Sequence, residues 1–325
     1  MENMILCKER LIEGANIRTP LLIPSFSSKG IENSRHIFNM LKPYITDVTL
    51  FSAYDLYYDF FDKSQIYETE ILFIDSGGYE AGLNTDLSEN RMSFYFPEKW
   101  KEEFYLDEIQ TLKKINNLIL VNYDYPNTSI EQQIDKANAI FSRFPEYHSD
   151  FLIKSESENG MLNVKSLLSN LNLCSRFSIL GFTEKELGNS VYERCKNLYL
   201  IRKEMNKLGL DKPIHIFGCL DPLNIIIYFL CGADIFDGLS WLRFGFKYNQ
   251  PIYINSYAIS EGKWKYSNEE IKVMTFFGNL NCLKELTEKM QQYANEKDLS
   301  VFNLDEQFEK EIIEILNLLY EEVGI

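Results

Sequence analysis

The sequence predicts a (β/α)8 TIM barrel, an α/β fold, with a C-terminal helical extension. Short apolar runs rich in β-branched residues alternate with longer amphipathic stretches, a pattern typical of parallel strands joined by helical crossovers. Eight such runs occur within about 220 residues, and eight is the number of strands in this barrel. A doubly wound open sheet is the alternative, but the chain has no G-x-G-x-x-G motif and no Walker A loop.

The strands and helices can be assigned along the chain in order. The predicted strands are residues 21–24, 48–53, 71–76, 118–124, 151–154, 177–181, 213–218 and 233–238. Helical periodicity marks residues 129–144, 187–208 and 221–231 between them. Beyond the eighth strand, residues 252–259 and 263–266 are predicted to form a hairpin, and residues 268–295 and 304–322 two helices. We expect a barrel domain over residues 1–250, and over residues 251–325 a hairpin and helices packed on it.

Composition limits the class of protein. The longest apolar run, residues 225–231, is too short to cross a bilayer, and the first residues lack the pattern of a signal peptide. The six cysteines and three histidines form no metal-binding pattern. We therefore expect a cytoplasmic protein with reduced, buried thiols, no metal, no other cofactor and no catalytic histidine. A net charge of −15 argues against extensive phosphate contact, although it leaves room for a local basic rim.

Three predicted strands have an aspartate as their last or next-to-last residue, namely Asp75, Asp124 and Asp237. Active sites of this fold form at the carboxyl ends of the strands, and acidic residues are depleted in strands. Capping of the following helix is the alternative, and it explains a single aspartate equally well. Three of them at one rim favour a site. Other strands end at residues that supply a charge or bare backbone: Lys154, Gly181 and Gly218.

The connection over residues 77–117 is long for this fold and rich in aromatic and charged residues. We expect it to cover the mouth of the barrel.

The most specific motif is residues 75–79 (DSGGY), in which two glycines after an aspartate permit a sharp turn and a close ligand approach. Four other motifs accompany it, at residues 19–20 (TP), 179–182 (ILGF), 216–222 (IFGCLDP) and 236–243 (FDGLSWLR). In order and approximate spacing, from about residue 17 to 290, this series resembles the tRNA-guanine transglycosylase family. It also resembles the paralogues of that family that insert 7-deazaguanines into DNA.

The resemblance implies a barrel that exchanges a guanine base without breaking the polynucleotide. It implies that Asp237 is the nucleophile, that Asp75 is the general acid/base and that Asp124 reads the guanine edge. The other implied roles are a purine sandwich by Tyr79 and Phe217, backbone contacts at Gly181, and an Arg243 that orients the nucleophile or meets a phosphate. For Tyr79 and Phe217, core packing is the alternative in a chain with 20 Tyr and 23 Phe.

These residue types suit the chemistry that the resemblance implies. Displacing a base from C1′ has oxocarbenium character, so an attacking carboxylate divides one difficult step into two. A second carboxylic acid must protonate the departing purine, which requires two carboxylates with different pKa values. An aspartate beside Arg243 would stay ionised, and one beneath an aromatic lid would hold a proton more readily.

The sequence departs from the family at several positions. No cysteine occurs over residues 244–281, and Gly278 occupies a zinc-ligand position, so we expect no structural zinc. Lys154 lies near the position of a base-reading glutamine, and it cannot accept a hydrogen bond. It would suit a phosphate or a carboxylated 7-substituent. Glu80 replaces another glutamine, and Ser52 an asparagine.

Three functions remain open. The first is base exchange, with tRNA or DNA, a guanine or 7-deazaguanine base, and an identical or different second subunit as partners. The second is an N-glycosidase that releases a base from a nucleoside or nucleotide. The third is a non-catalytic partner of a transglycosylase, against which the retained Asp75 and Asp237 argue.

Overall fold

The computed structural model describes residues 6–82 and 95–323 of the 325-residue chain. Its centre is an eight-stranded parallel sheet in the order β3-β10-β9-β8-β7-β6-β5-β4. A parallel bridge between Ser25 and Leu50 joins the two edges, so the sheet closes into the predicted (β/α)8 barrel. The strands are β3 (Leu21–Pro24), β4 (Val48–Ser52), β5 (Ile71–Asp75), β6 (Leu118–Val121), β7 (His148–Ile153), β8 (Ile179–Thr183), β9 (Ile214–Phe217) and β10 (Ile235–Gly238).

Helices follow the strands around the outside of the barrel. The helices up to the last barrel strand are α1 (Ser34–Leu41), α2 (Ala53–Tyr57), α3 (Gly78–Ala81), α4 (Glu102–Thr111), α5 (Ile130–Arg143), α6 (Val164–Asn170), α7 (Val191–Lys207) and α8 (Pro222–Leu230). Short 3-10 turns lie at Lys42–Tyr44, Ile66–Glu68, Leu171–Arg176 and Glu184–Glu186. Asp221 shows how the sequence starts a helix, because its carboxylate caps the amides of Leu223 and Asn224, and Pro222 occupies the first turn.

Alternation along the strands separates two apolar cores. Phe73 points into the barrel interior, whereas its neighbours Leu72 and Ile74 pack outward against the helices. A two-stranded hairpin, β1 (Leu11–Ile12) and β2 (Ile17–Arg18), adds Ile12 and Ile17 to the interior core. The barrel interior is therefore filled with apolar side chains below the rim.

Beside the first residue of β10, a buried ion network fixes the start of that strand. Asp234 accepts hydrogen bonds from Arg10 and from Arg202, both at 2.6 Å, and from the Ile214 amide at 2.8 Å. All three charged side chains are buried, and two guanidinium groups compensate the desolvated carboxylate.

The region after β10 differs from the prediction. It contains α9 (Ser240–Arg243), a hairpin of β11 (Gly245–Lys247) and β12 (Gln250–Ile252), α10 (Ile254–Ser260), α11 (Asn268–Glu296), the turn Leu299–Phe302 and α12 (Glu306–Val323). The two long helices confirm the prediction, but the hairpin predicted at residues 252–266 is wrong. Its first half is the helix α10, in which the less exposed residues Ile254, Tyr257 and Ala258 have the i, i+3, i+4 spacing of a helix rather than the alternation of a strand.

Asn279 attaches this extension to the barrel. The buried side chain accepts a hydrogen bond from the Phe246 amide at 2.7 Å. It also donates to the carbonyls of Trp241 and Phe244, at 2.6 and 2.7 Å. The expected domain boundary at residue 250 falls within the hairpin, at the first residue of β12.

Within residues 6–82 and 95–323, no helix is long and apolar enough to span a membrane. Five of the six cysteines are buried, as expected, and Cys282 is partly buried.

Candidate functional site

A cavity of about 650 Å³ opens at the carboxyl ends of the barrel strands. Its volume lies within the range of small-molecule sites. Seven of the nine predicted site residues line it: Asp75, Tyr79, Asp124, Lys154, Phe217, Gly218 and Asp237. Gly181 and Arg243 are not among the described residues that line the cavity. Each contacts a residue that does: Gly181 lies against Phe217, and Arg243 donates a hydrogen bond to Tyr79.

Three groups hold Asp237 in place at the end of β10. Its Oδ2 accepts a hydrogen bond from Ser25 Oγ at 2.9 Å, and its Oδ1 accepts one from the Gly218 amide at 3.1 Å. His215 Nε2 lies 3.4 Å from the same Oδ1, within ion-pair distance but without a hydrogen bond. The following helix begins after Leu239, so Asp237 does not serve as its N-cap. The Gly218 backbone therefore orients the candidate nucleophile through its amide.

Asp75 is the last residue of β5. The positions of Gly77 and Gly78, which follow it, require glycine for two different physical reasons. Gly77 has a φ of 88°, in the left-handed region that favours glycine. A Cβ atom at Gly78 would lie 2.3 Å from Asp124 Oδ2. The predicted sharp turn is thus confirmed at Gly77, and the group that approaches Gly78 closely is the Asp124 carboxylate.

The Asp75 carboxyl group is suited to hold a proton. Burial raises its pKa well above the usual value, and the nearby charges of Asp124, Glu80 and Asp237 raise it further. Its Oδ1 is buried and has no hydrogen-bond partner within the part of the chain that the structure describes.

Asp124 lies three residues beyond the end of β6 and does not cap the next helix, which has Ser129 at its N-cap. Its Oδ1 accepts a hydrogen bond from Ser76 Oγ at 2.6 Å. Its Oδ2 lies 3.9 Å from Lys154 Nζ. The carboxylate is therefore oriented from one side by a hydroxyl and balanced from the other by an ammonium group.

Lys154 is surrounded by oxygen atoms. It forms an ion pair with Glu186, and its Nζ donates a hydrogen bond to Thr183 Oγ1 at 2.8 Å. Burial lowers the pKa of Lys154, but Asp124 and Glu186 outweigh that effect and raise it above its usual value. Because two carboxylates already balance its charge, the structure supports a Lys154 that neutralises the site rather than one reserved for a phosphate.

Tyr79 is half-buried at the cavity wall. Lys29 Nζ lies 4.2 Å from the centre of its ring, and its hydroxyl accepts a hydrogen bond from Arg243 at 3.0 Å. Arg243 thus supports the candidate stacking residue, whereas the groups described around Asp237 are Ser25, Gly218 and His215.

Phe217 lines the cavity but is only 7% exposed. Its ring stacks on His215 with centroids 3.8 Å apart. A Cβ atom at Gly181 would lie 2.5 Å from the Phe217 ring and 3.0 Å from Asp150 Oδ1. Gly181 therefore makes room for these side chains, which is a different role from the backbone contact with a base that the resemblance implies.

His215 and Asp150 are the residues that the sequence analysis did not select. Both are fully buried, and His215 Nδ1 lies 2.6 Å from Asp150 Oδ2. Burial lowers the pKa of His215, but the charges and hydrogen bonds of Asp150 and Asp237 raise it to about 9. One signal was present in the sequence: His215 precedes Phe217 by two residues, so in a strand both side chains point to the same face.

A second buried acidic pair lies on the other side of the cavity. Glu80 accepts a hydrogen bond from Ser27, and Asp55 accepts hydrogen bonds from the Ser28 amide and hydroxyl. Burial, aided by Asp55, raises the pKa of Glu80 to about 8. Burial also raises the pKa of Asp55 to about 7, against hydrogen bonds from Ser28 and Ser52.

The long connection contributes to the cavity wall. Residues 83–94 of it lie outside the described residues, but Trp100 lines the cavity and donates a hydrogen bond to the Ser76 carbonyl at 3.0 Å. The described residues that line the cavity include seven carboxyl groups and two lysines. A cavity of this kind favours a neutral or cationic ligand over a polyphosphate.

Comparison with protein-family models and with curated proteins finds no match to this chain. The fold and the cavity define its class, a (β/α)8 barrel with a carboxylate-rich cavity at the carboxyl ends of its strands. Any narrower assignment rests on the motifs and on the geometry of the cavity.

We predict that Glu80→Gln makes stability less sensitive to pH. The folded-state pKa of about 8 lies above the ordinary 4.5, so Glu80 favours the folded state at low pH. This contribution is lost as the pH rises towards 8. Between pH 6 and pH 9 the parent should lose about 2–3 kcal/mol more than the variant in urea unfolding. The exposed Glu288→Gln is the control, and equal losses in parent and variant would contradict the prediction.

We predict that Gly181→Ala displaces Phe217 and costs about 1–3 kcal/mol of unfolding free energy, because the methyl group overpacks the barrel interior. Urea unfolding measures the cost. Gly209→Ala is the reference, since its Cβ position is open and only its φ of 68° opposes the change. A Gly181→Ala protein with unchanged stability and an unmoved Phe217 ring would refute the close contact.

Proposed function

We propose that this chain is a base-exchange transglycosylase, which replaces guanine in a nucleic acid with a 7-deazaguanine-type base. The observation that carries the proposal is the presence of Asp75 and Asp237 in one cavity with different surroundings. Asp75 has a raised pKa, so it is suited to hold a proton, whereas Asp237 is oriented by Ser25, Gly218 and His215. Two such carboxyl groups are what a double displacement at C1′ requires.

In the proposed first step, Asp237 attacks C1′ as the C1′–N9 bond breaks. The electron pair of that bond goes to the departing guanine, which takes the proton of Asp75. The product is a glycosyl ester of Asp237. In the second step the incoming base attacks C1′, Asp75 takes its proton, and Asp237 leaves as a carboxylate. Two displacements at one carbon retain its configuration.

The same cavity supports recognition of guanine. Asp124 has a carboxylate oriented by Ser76, and a carboxylate accepts the N1–H and the exocyclic amine that distinguish guanine from adenine. Tyr79 and Phe217 both line the cavity, so their rings are available to contact a flat base. Lys154 balances the charge of Asp124 and lowers the cost of keeping that carboxylate partly buried.

The charge of the chain favours one alternative. A net charge of −15 and the carboxylate-rich cavity suit a small nucleoside better than a polyanion. The second candidate is therefore an N-glycosidase in which water, rather than a second base, attacks the Asp237 ester.

One assay separates the candidates. The chain is incubated with labelled guanine or a 7-deazaguanine together with tRNA, DNA or free nucleoside. Label entering a polymer supports base exchange. Base release without incorporation supports the glycosidase. Neither activity with any substrate would favour a non-catalytic partner.

We predict that Asp237→Asn lowers base exchange by at least about 10³-fold, because the amide cannot form the glycosyl ester. Because the ester keeps the sugar and loses the base, it is measured with a nucleic acid labelled in its sugar or phosphate, and after denaturation the parent alone should carry that label. The exposed Asp135→Asn is the matched control and should behave like the parent. If Asp237→Asn retains turnover, the nucleophile lies elsewhere.

We predict that Asp124→Ala weakens guanine binding about 100-fold while the melting temperature changes little, because two charge-assisted hydrogen bonds are lost at a partly open site. Calorimetric titration with guanine measures the affinity, and Asp135→Ala is the control. Unchanged affinity would show that Asp124 does not read the base.

A further inference from the structure

A chain of three titratable side chains, Asp150, His215 and Asp237, leads from the barrel interior to the cavity, and of these Asp237 lines the cavity. They come from the strands β7, β9 and β10. Asp150 Oδ2 lies 2.6 Å from His215 Nδ1, and Asp237 Oδ1 lies 3.4 Å from His215 Nε2. Asp150 and His215 are fully buried, and Asp237 is 7% exposed.

The two distances constrain the protons of the imidazole. A neutral ring that donates from Nδ1 to Asp150 would turn the lone pair of Nε2 towards a carboxylate oxygen of Asp237. That arrangement sets two acceptors against each other. An imidazolium instead donates from Nδ1 to Asp150 and turns the Nε2 proton towards Asp237 Oδ1, at an ion-pair distance of 3.4 Å that is not a formed hydrogen bond. Burial raises the pKa of Asp150, although the charge and hydrogen bond of His215 lower it in turn. The pKa of His215 is raised to about 9, which agrees with the charged ring.

We infer that His215 is a positioning residue, an imidazolium shared by Asp150 and Asp237 that keeps Asp237 ionised and aimed for attack. The inference deepens the proposed function and rests on it where it concerns the reaction. His215 acts through Asp237, and the reaction transfers no proton to or from it.

Charge balance gives Asp150 a purpose. Before attack the three groups carry two negative charges and one positive charge. When the glycosyl ester forms, Asp237 loses its charge, and the imidazolium stays paired with Asp150. Without Asp150, formation of the ester would leave the His215 imidazolium as a buried cation with no compensating charge, which is costly.

The first test is independent of catalysis. In the full chain, NMR of the imidazole nitrogens follows His215 across pH 5 to 10. His36→Gln and His148→Gln assign the signals of the other two histidines. We expect His215 in the parent to remain protonated until about pH 9, and in Asp150→Asn to lose its proton at least one pH unit lower. A parent His215 that is neutral at pH 7.5 would overturn the inference.

The second test is the pH profile of base exchange. In His215→Gln an amide can still donate to Asp237, but the positive charge is gone. We expect the acid limb of the profile to move up by about one pH unit, which lowers the exchange rate about tenfold at the low-pH end of the limb. KM should change less than threefold. Asp75 and Glu80, whose pKa values are raised, are common to the parent and the variant, so a shift of the limb between the two reports the lost charge of His215. A purely structural role would leave the limb in place.

The matched control is His36→Gln on the exposed face of α1, which should keep the parent profile. If His215→Gln is poorly folded, Asp150→Asn/His215→Gln, in which both partners are neutral, is measured instead with the same expectation. An unmoved acid limb with kcat within twofold of the parent would overturn the inference alone. Absence of exchange in the parent would overturn the proposed function, and the NMR titration would still judge the imidazolium.

Discussion

Burial of carboxyl groups is the constraint on which the cavity depends. An ionised carboxylate in a water-poor site is costly unless a cation or several donors face it. The barrel meets this cost in different ways at neighbouring positions. Asp124 and Glu186 share Lys154, and Asp237 and Asp150 share His215. Asp55, Asp75 and Glu80 have no such cation in the described contacts, and their pKa values are raised. The cavity thus combines acids that face a cation with acids in which burial favours the protonated form.

This division of charge depends on small residues as much as on the acids. Gly181 lies on β8, between the strand of Asp150 and the strand of His215, and its missing side chain lets those two groups meet across the sheet. Gly78 lets Asp124 approach the turn after β5 in the same way. The packing of the protein's own side chains therefore explains why these motif positions are glycine, in addition to any contact with a ligand.

Much of the fold was predictable, because a buried parallel strand is recognisable as an apolar run. All eight strands occur where those runs lie, and seven of nine predicted site residues line one cavity. Local patterns failed where contacts across the chain decide the structure. Residues 254–260 form a helix because Tyr257 packs between Gly245 and Gly278, which no local pattern reveals. His215 was not predicted as a site residue because its partners, Asp150 and Asp237, lie 65 and 22 residues away along the chain.

Asn279 has a consequence for the way the molecule comes apart. Its one amide group satisfies three backbone groups between Trp241 and Phe246, immediately after the strand that carries Asp237. Peeling α11 away would expose those groups and open the end of β10 at the same time. The helical extension is thus a clamp on the last barrel strand, and chain segments that look separable by sequence should melt in a single cooperative transition.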